Sequence, residues 1–151
     1  MPHPEENVPL QLNLLGIPEI RLDSKPIALG TAKAQALLYF LVVTGIPHSR
    51  DALVDLLWGE MAEAKARRNL TATLTSLRKE LAAFLHVQPA TVSINPHALF
   101  RLDVSVAEGL LAQGQASRDM RSVREAVALY RGDFLAGLTV KDGFAFEEWL
   151  H

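Results

Sequence analysis

A chain of 151 residues, 49% hydrophobic and without cysteine, has room for one medium or two small domains, and excludes a disulfide framework, thiol catalysis and thiolate metal sites. No apolar run approaches the roughly 20 residues that span a bilayer, and MPHPEENVPLQ has acidic flanks and no apolar signal core, so a cytoplasmic location with no membrane partner is expected. The net charge of −2 argues against a general polyanion binder, but it conceals a split: residues 1–60 carry −3, residues 61–103 carry +3 and residues 104–151 carry −2.

Residues 1–9 read as a polar, mobile start. LQLNLLG (residues 10–16) and PEIRLDS (18–24) then read as short strands punctuated by Gly16, Pro18 and a turn over 23–26, and KPIALG supplies a third. Thr31 is the expected N-cap of a first helix with Ala34, Leu37, Leu38 and Leu41 as its apolar stripe, ended by Gly45 and Pro47. Ser49 caps a short second helix that turns Leu53, Leu56 and Leu57 inward and stops at Gly59, with Trp58 in the core. A third helix begins at residues 62–64 and runs to about Leu85, roughly 22 residues or about 33 Å. TVSINPHALFRLD next alternates as strand, turn at residues 95–98, and strand, which is a hairpin. Beyond Asp103 the pattern is helical only. One helix ends at Gly114, a second presents Val123, Ala126, Val127 and Tyr130 on one face, and FAFEEWLH starts a third that leaves Phe146, Trp149 and Leu150 uncovered, as in a truncated domain.

This order defines an α+β fold: a winged helix-turn-helix with N-terminal antiparallel strands and a C-terminal hairpin over residues 10–103, followed over 104–151 by an all-α, TPR-like helical region. Within it, ARRNLTATLTSLRKEL (residues 66–81) is unusual. Leu70, Leu74, Leu77 and Leu81 recur along one helical face, yet Thr71, Thr73 and Thr75 together cost such a helix about 2 kcal/mol relative to alanine. The opposite face gathers Lys65, Arg68, Ala72, Thr75, Ser76 and Lys79, flanked by Asn69 and Thr71. Cations neutralise phosphates, an amide pairs with adenine, hydroxyls bond base edges, and the methyls of Ala and Thr touch thymine. Such a face suits a DNA major groove, and small side chains let the helix approach closely. Arg67 and Arg78 lie at the margin of the leucine face, where an ion pair and a phosphate contact are equal alternatives. Arg101, on the second hairpin strand, reaches a phosphate or else coats the sheet.

LVDLLWG (residues 53–59), the ARRNLTATLTSLRKEL helix and a hairpin ending in FRLD resemble the OmpR/PhoB-type winged helix of bacterial response regulators. AVALYRGDFLAGL (126–138) and EEWL resemble the bacterial transcriptional activator domain. In this order the two resemble SARP-like activators, the antibiotic-regulatory-protein type. The resemblance implies a recognition helix over 64–85, a supporting helix over 49–57, and a 58–63 loop that touches RNA polymerase. It also implies binding to direct repeats of double-stranded DNA as a homodimer. By position, Arg68, Thr71, Ala72, Thr75, Ser76 and Lys79 face DNA, with Arg78 and the hairpin tip, including His97, at phosphates. The chain departs from the family pattern at Ser76, where many relatives carry a large basic residue, and at the tip NPHA, which lacks the usual glycine and arginine.

His3, His48, His86, His97 and His151 show no metal-ligand spacing, no carboxylate pair accompanies a His or Ser, and no phosphate-cradling glycine loop is present. No cofactor and no catalysis are therefore expected, and because the winged-helix pattern begins almost at the N-terminus no upstream receiver domain is expected either. The competing reading is a protein-interaction module that uses the winged helix as a scaffold and the acidic helical region to capture a partner.

Overall fold

The computed structural model describes residues 8–151. Most of the expected mobile start, residues 1–7, lies outside the described residues; Val8 and Pro9 are half-buried, and the Pro9 carbonyl accepts from Asp23 N at 2.7 Å. The fold is α+β, with contacts grouping the chain into two compact units: residues up to Ala28 with Leu99–Gly137, and Leu29–Ala98 with Leu138–His151. No helix among the described residues is long and apolar enough to cross a membrane.

In the first unit, β1 (Leu10–Asn13) and β2 (Glu19–Leu22) pair antiparallel, and β3 (Lys25–Ile27) joins β2 through a two-residue turn. Asp23 and Ser24 both take positive φ (51° and 69°), the geometry that lets a short hairpin follow the strand twist. Alternation puts Leu10 and Leu12 in the core, and Leu14 and Leu15 extend it. On the other side of β1 lies β7 (Phe100–Leu102), parallel to it with Gln11 opposite Arg101. The expected hairpin between 91–94 and 100–102 is therefore corrected. The turn over 95–98 forms, with Ala98 N donating to the Asn95 carbonyl, but the strand after it joins the N-terminal sheet. Leu102 is the reason: its burial continues the row of Leu10 and Leu12.

Asp103 opens α4 (Asp103–Ser117) and is 2% exposed; its two carboxylate oxygens accept from Leu14 N (2.8 Å) and Leu15 N (2.9 Å). The α4 helix passes through Gly114 and ends instead at Arg118, in the left-handed conformation. Gly114 stays inside because α5 (Met120–Leu129) comes so close that a Cβ there would lie 2.5 Å from a Val123 methyl. The same closeness corrects the expected face of α5. Small side chains fill the seam, so Ser122 and Ala126 are buried, while Val127 and Tyr130 are 61% and 51% exposed.

In the second unit, Thr31 caps α1 (Ala32–Thr44) by accepting from Ala34 N, and Gly45 closes it with φ 67°. The helix is buried on most sides, Ala36, Tyr39 and Val42 joining the expected stripe. Ser49 caps α2 (Arg50–Trp58), whose buried residues are Leu53, Val54, Leu57 and Trp58; Leu56 is only half-buried. The α3 helix (Glu63–Leu81) is shorter than expected: a 3-10 turn, Ala82–Phe84, follows it, and Leu85 starts a strand. Asn95 stops the helix by bonding Ala83 O through its side chain and Phe84 O through its backbone. A three-stranded sheet of β4 (His48–Ser49), β6 (Thr91–Ile94) and β5 (Leu85–Val87) completes the strands of this unit.

The terminal α6 (Phe144–Leu150) is not uncovered. It packs on α2, Phe146 is fully buried, and the Trp149 ring stands edge-on to Phe40 of α1 at 4.9 Å. Sequence spacing identified the apolar face of α6; its cover comes from residues a hundred positions earlier.

Replacing Asp103 by alanine leaves two buried backbone donors unpaired, and hydrogen bonds to a charged acceptor are each worth about 1.5–3 kcal/mol. Asp103→Ala is expected to lower unfolding stability by about 3 kcal/mol, measured by urea titration followed by far-UV circular dichroism.

Candidate nucleic-acid interface

The α3 helix is placed by its apolar side. Ala66, Leu70, Leu74, Leu77 and Leu81 are all buried, and α3 packs against both α1 and α2. A helix whose leucines are fixed in this way has one remaining direction for its polar side. Lys65, Arg68, Thr71, Ala72, Thr75, Ser76, Arg78 and Lys79 are all exposed. At 100° per residue, Lys65, Arg68, Ala72, Thr75 and Lys79 lie within about 40° of the line opposite the leucines, with Ser76 beside them. Among the described residues no carboxylate lies within ion-pair distance of Lys65, Arg68, Arg78 or Lys79. Four cations thus remain available on this helix.

The geometry separates side chains that a helical wheel treats alike. Arg67 is engaged: its guanidinium pairs with Glu63 at 2.9 Å and with Asp51 of α2, holding the two helices together. Arg78 has no such partner among the described residues. Asn69 is half-buried, and its amide nitrogen donates to the Met61 sulfur at 3.1 Å, so it braces the turn before α3. The threonines answer the cost noted from sequence. Thr71, Thr73 and Thr75 each donate to the carbonyl four residues earlier, at 3.1, 2.8 and 2.9 Å. Their hydroxyl protons are used within the helix, leaving oxygen lone pairs and methyl groups to face outward.

His97 is exposed in the 95–98 turn of the same unit, its backbone N–H donating to the Asn95 side chain at 3.0 Å. Arg101 is half-buried on β7 and belongs to the other unit. Ten of the eleven candidate side chains are therefore gathered in one unit.

Sequence reasoning missed the residues that hold the turn between α2 and α3. Lys33 of α1 bonds the Leu57 carbonyl and sits 5.1 Å over the Trp58 ring, a cation at the C-terminal end of α2. Burial pushes the Lys33 ammonium below its ordinary value, partly offset by the charge of Asp142. Beneath the turn is a groove of about 380 Å³ whose lining includes Asp51, Asp55, Trp58, Met61, Glu63 and Arg67. At the start of α2, Thr44 donates to the Phe40 carbonyl at 2.7 Å and its oxygen lies 2.7 Å from His48 Nε2, so the imidazole donates there. A lysine at the second position of α1 gives no local signal of a partner 24 positions away.

The chain is similar to transcriptional regulators. EmbR of Mycobacterium bovis and of Mycobacterium tuberculosis is 36% identical over 73 residues, covering 48% of this chain and 19% of the relative. MoaR1 of M. tuberculosis is 34% identical over 74 residues, covering 48% and 24% respectively. The structure of M. tuberculosis EmbR in complex with a low-affinity phosphopeptide shares 26% identity and a TM-score of 0.69, across 94% of this chain and 41% of that one. The chain thus spans about a fifth to a quarter of the length of the curated relatives it matches. No protein-family model matches it.

Two outcomes follow from the packing. Leu77→Ala empties a fully buried leucine site and is expected to cost about 3 kcal/mol in urea unfolding. Burial pushes the His48 imidazole below its ordinary value of about 6.5. Its contribution to stability is full above that unfolded-state value and is lost as pH falls through the lower folded value. The urea midpoint should drop between pH 7.5 and pH 5, with a shallower drop in His48→Gln.

Proposed function

We propose that this chain is the DNA-binding part of a bacterial transcription regulator and binds double-stranded DNA sequence-specifically, with α3 in the major groove and residues 10–103 acting as a winged helix. The observation that carries this reading is the polar side of α3: Lys65, Arg68 and Lys79, with Arg78 at its margin, have no carboxylate partner among the described residues and surround small side chains on a helix whose leucines are buried. Lys65, Arg68, Arg78 and Lys79 meet phosphates, as do His97 and Arg101, while Thr71, Ala72, Thr75 and Ser76 meet base edges. Asn69 contributes by bracing the turn.

The relatives, transcriptional regulators by name, support the same reading. On it the protein works in the cytoplasm, binds direct repeats as a homodimer, and offers the turn between α2 and α3 to RNA polymerase. The acidic groove beneath that turn suits a basic partner segment. The residues following 103 serve dimerisation or signalling. A second reading, a protein-interaction module, draws on Met120, Val127 and Tyr130, which expose apolar surface on and just after α5.

Selection from randomised duplexes at low and moderate salt separates the two: an enriched repeated motif supports DNA binding, and failure to bind at either salt supports the interaction module. On an enriched duplex, Arg68→Ala and Lys79→Ala should weaken binding to all sequences and each reduce the slope of log K against log salt by nearly one. Unchanged affinity in both variants would overturn the reading.

A further inference from the structure

We propose that α3 reads thymine through its 5-methyl group, with Ala72 and Thr75 forming the reading surface. The inference rests on the DNA-binding role of α3 and adds what that helix recognises. Three observations carry it. Ala72 and Thr75 are both exposed and occupy the middle of the outward line, bounded by Arg68 and Lys79. Those two cations are 11 residues apart, about 16 Å along the helix axis, so they bracket a span of about five base pairs. Phosphate-binding groups at both ends thus leave the methyl-bearing centre over base edges.

The second observation is the commitment of the polar groups. Thr75 donates to the Thr71 carbonyl at 2.9 Å, and Thr71 to the Arg67 carbonyl at 3.1 Å. A hydroxyl bonded in this way has no proton to give to guanine O6 or N7, adenine N7 or thymine O4. Turning the oxygen back onto the helix leaves the γ-methyl as the outward group. The third is Asn69, whose amide nitrogen is held by Met61 and is withdrawn from the bidentate adenine pairing that an amide would otherwise make. The centre of the face thus offers methyl groups and acceptor lone pairs, a surface complementary to the thymine methyl. Ser76, with an exposed hydroxyl beside this line, adds an adaptable contact without a methyl.

The test uses the whole chain and a duplex enriched by selection. Each thymine is replaced in turn by deoxyuridine, which deletes only the 5-methyl. At one or two thymines, affinity should fall about four-fold, the effect of one buried methyl group. Thr75→Val retains the methyl and should keep that discrimination, while Thr75→Ser retains only the hydroxyl and should reduce it to near one-fold at one of those thymines, leaving any thymine read by the Ala72 methyl unaffected. Circular dichroism controls for folding of both variants. A sequence-selective duplex whose affinity is unchanged by uracil at every position overturns the methyl reading and leaves DNA binding standing. Discrimination that survives in Thr75→Ser but is lost in Thr75→Val also overturns it. If no duplex is enriched, DNA binding itself fails and this inference falls with it.

Discussion

Burial of one leucine row determines what the α3 helix can do. Leu70, Leu74, Leu77 and Leu81 are each at most 3% exposed, and Ala66 lengthens the row by a turn. Burying a leucine is worth about 1.5–3 kcal/mol, so rotating the helix to hide its threonines would forfeit several such contributions at once. The outward direction of the cations is therefore a by-product of core packing. The same logic applies to α2, where the Ser49 cap and the Lys33 contact fix both ends of a helix only 9 residues long.

Local chemistry made part of this structure legible. The caps Thr31 and Ser49, the glycine at 45, the β1 and β2 strands and the leucine period each depend on residues within about four positions of one another. Several features depended on distant residues and were not legible. β7 joins β1 because Leu102 completes a row begun 90 positions earlier, and no turn signal near residues 95–98 indicates that choice. The seam of α5 selects Ser122 and Ala126 over Val127 and Tyr130 because Gly114 allows close approach, a steric preference that a hydrophobic pattern ranks in reverse. On α3, the wheel located the outward residues and left an ion pair and a phosphate contact as equal alternatives for Arg67 and Arg78, but gave no indication of which one was paired, that Asn69 faced the preceding turn, or where the threonine protons went.

The stretch YRGDFLAGL, part of the family resemblance, has a physical explanation in the first unit. Residues 131–136 run beside the end of β1: Arg131 N donates to Leu15 O, Gly16 N to Asp133 O, and Leu135 N to Leu14 O. Gly16 and Gly132 face each other so closely that a Cβ on Gly132 would lie 3.3 Å from the Gly16 Cα. Arg131 locks the crossing by donating to the carbonyls of Asn13 and Ile17 and pairing with Glu19 at 3.3 Å. Asp103 takes the N–H groups of Leu14 and Leu15 from the other direction, so this short segment is hydrogen-bonded to both the 131–136 loop and the start of α4.

The docking of α6 has an optical consequence. Trp58 and Trp149 are the two indoles of the chain, and both lie in the unit that contains α3. Trp58 has a lysine over its ring and Trp149 has a phenylalanine edge-on, so each emits from a distinct environment. The other unit has no indole and carries Tyr130 as an exposed phenol. Indole emission therefore follows one unit directly while leaving the other dark.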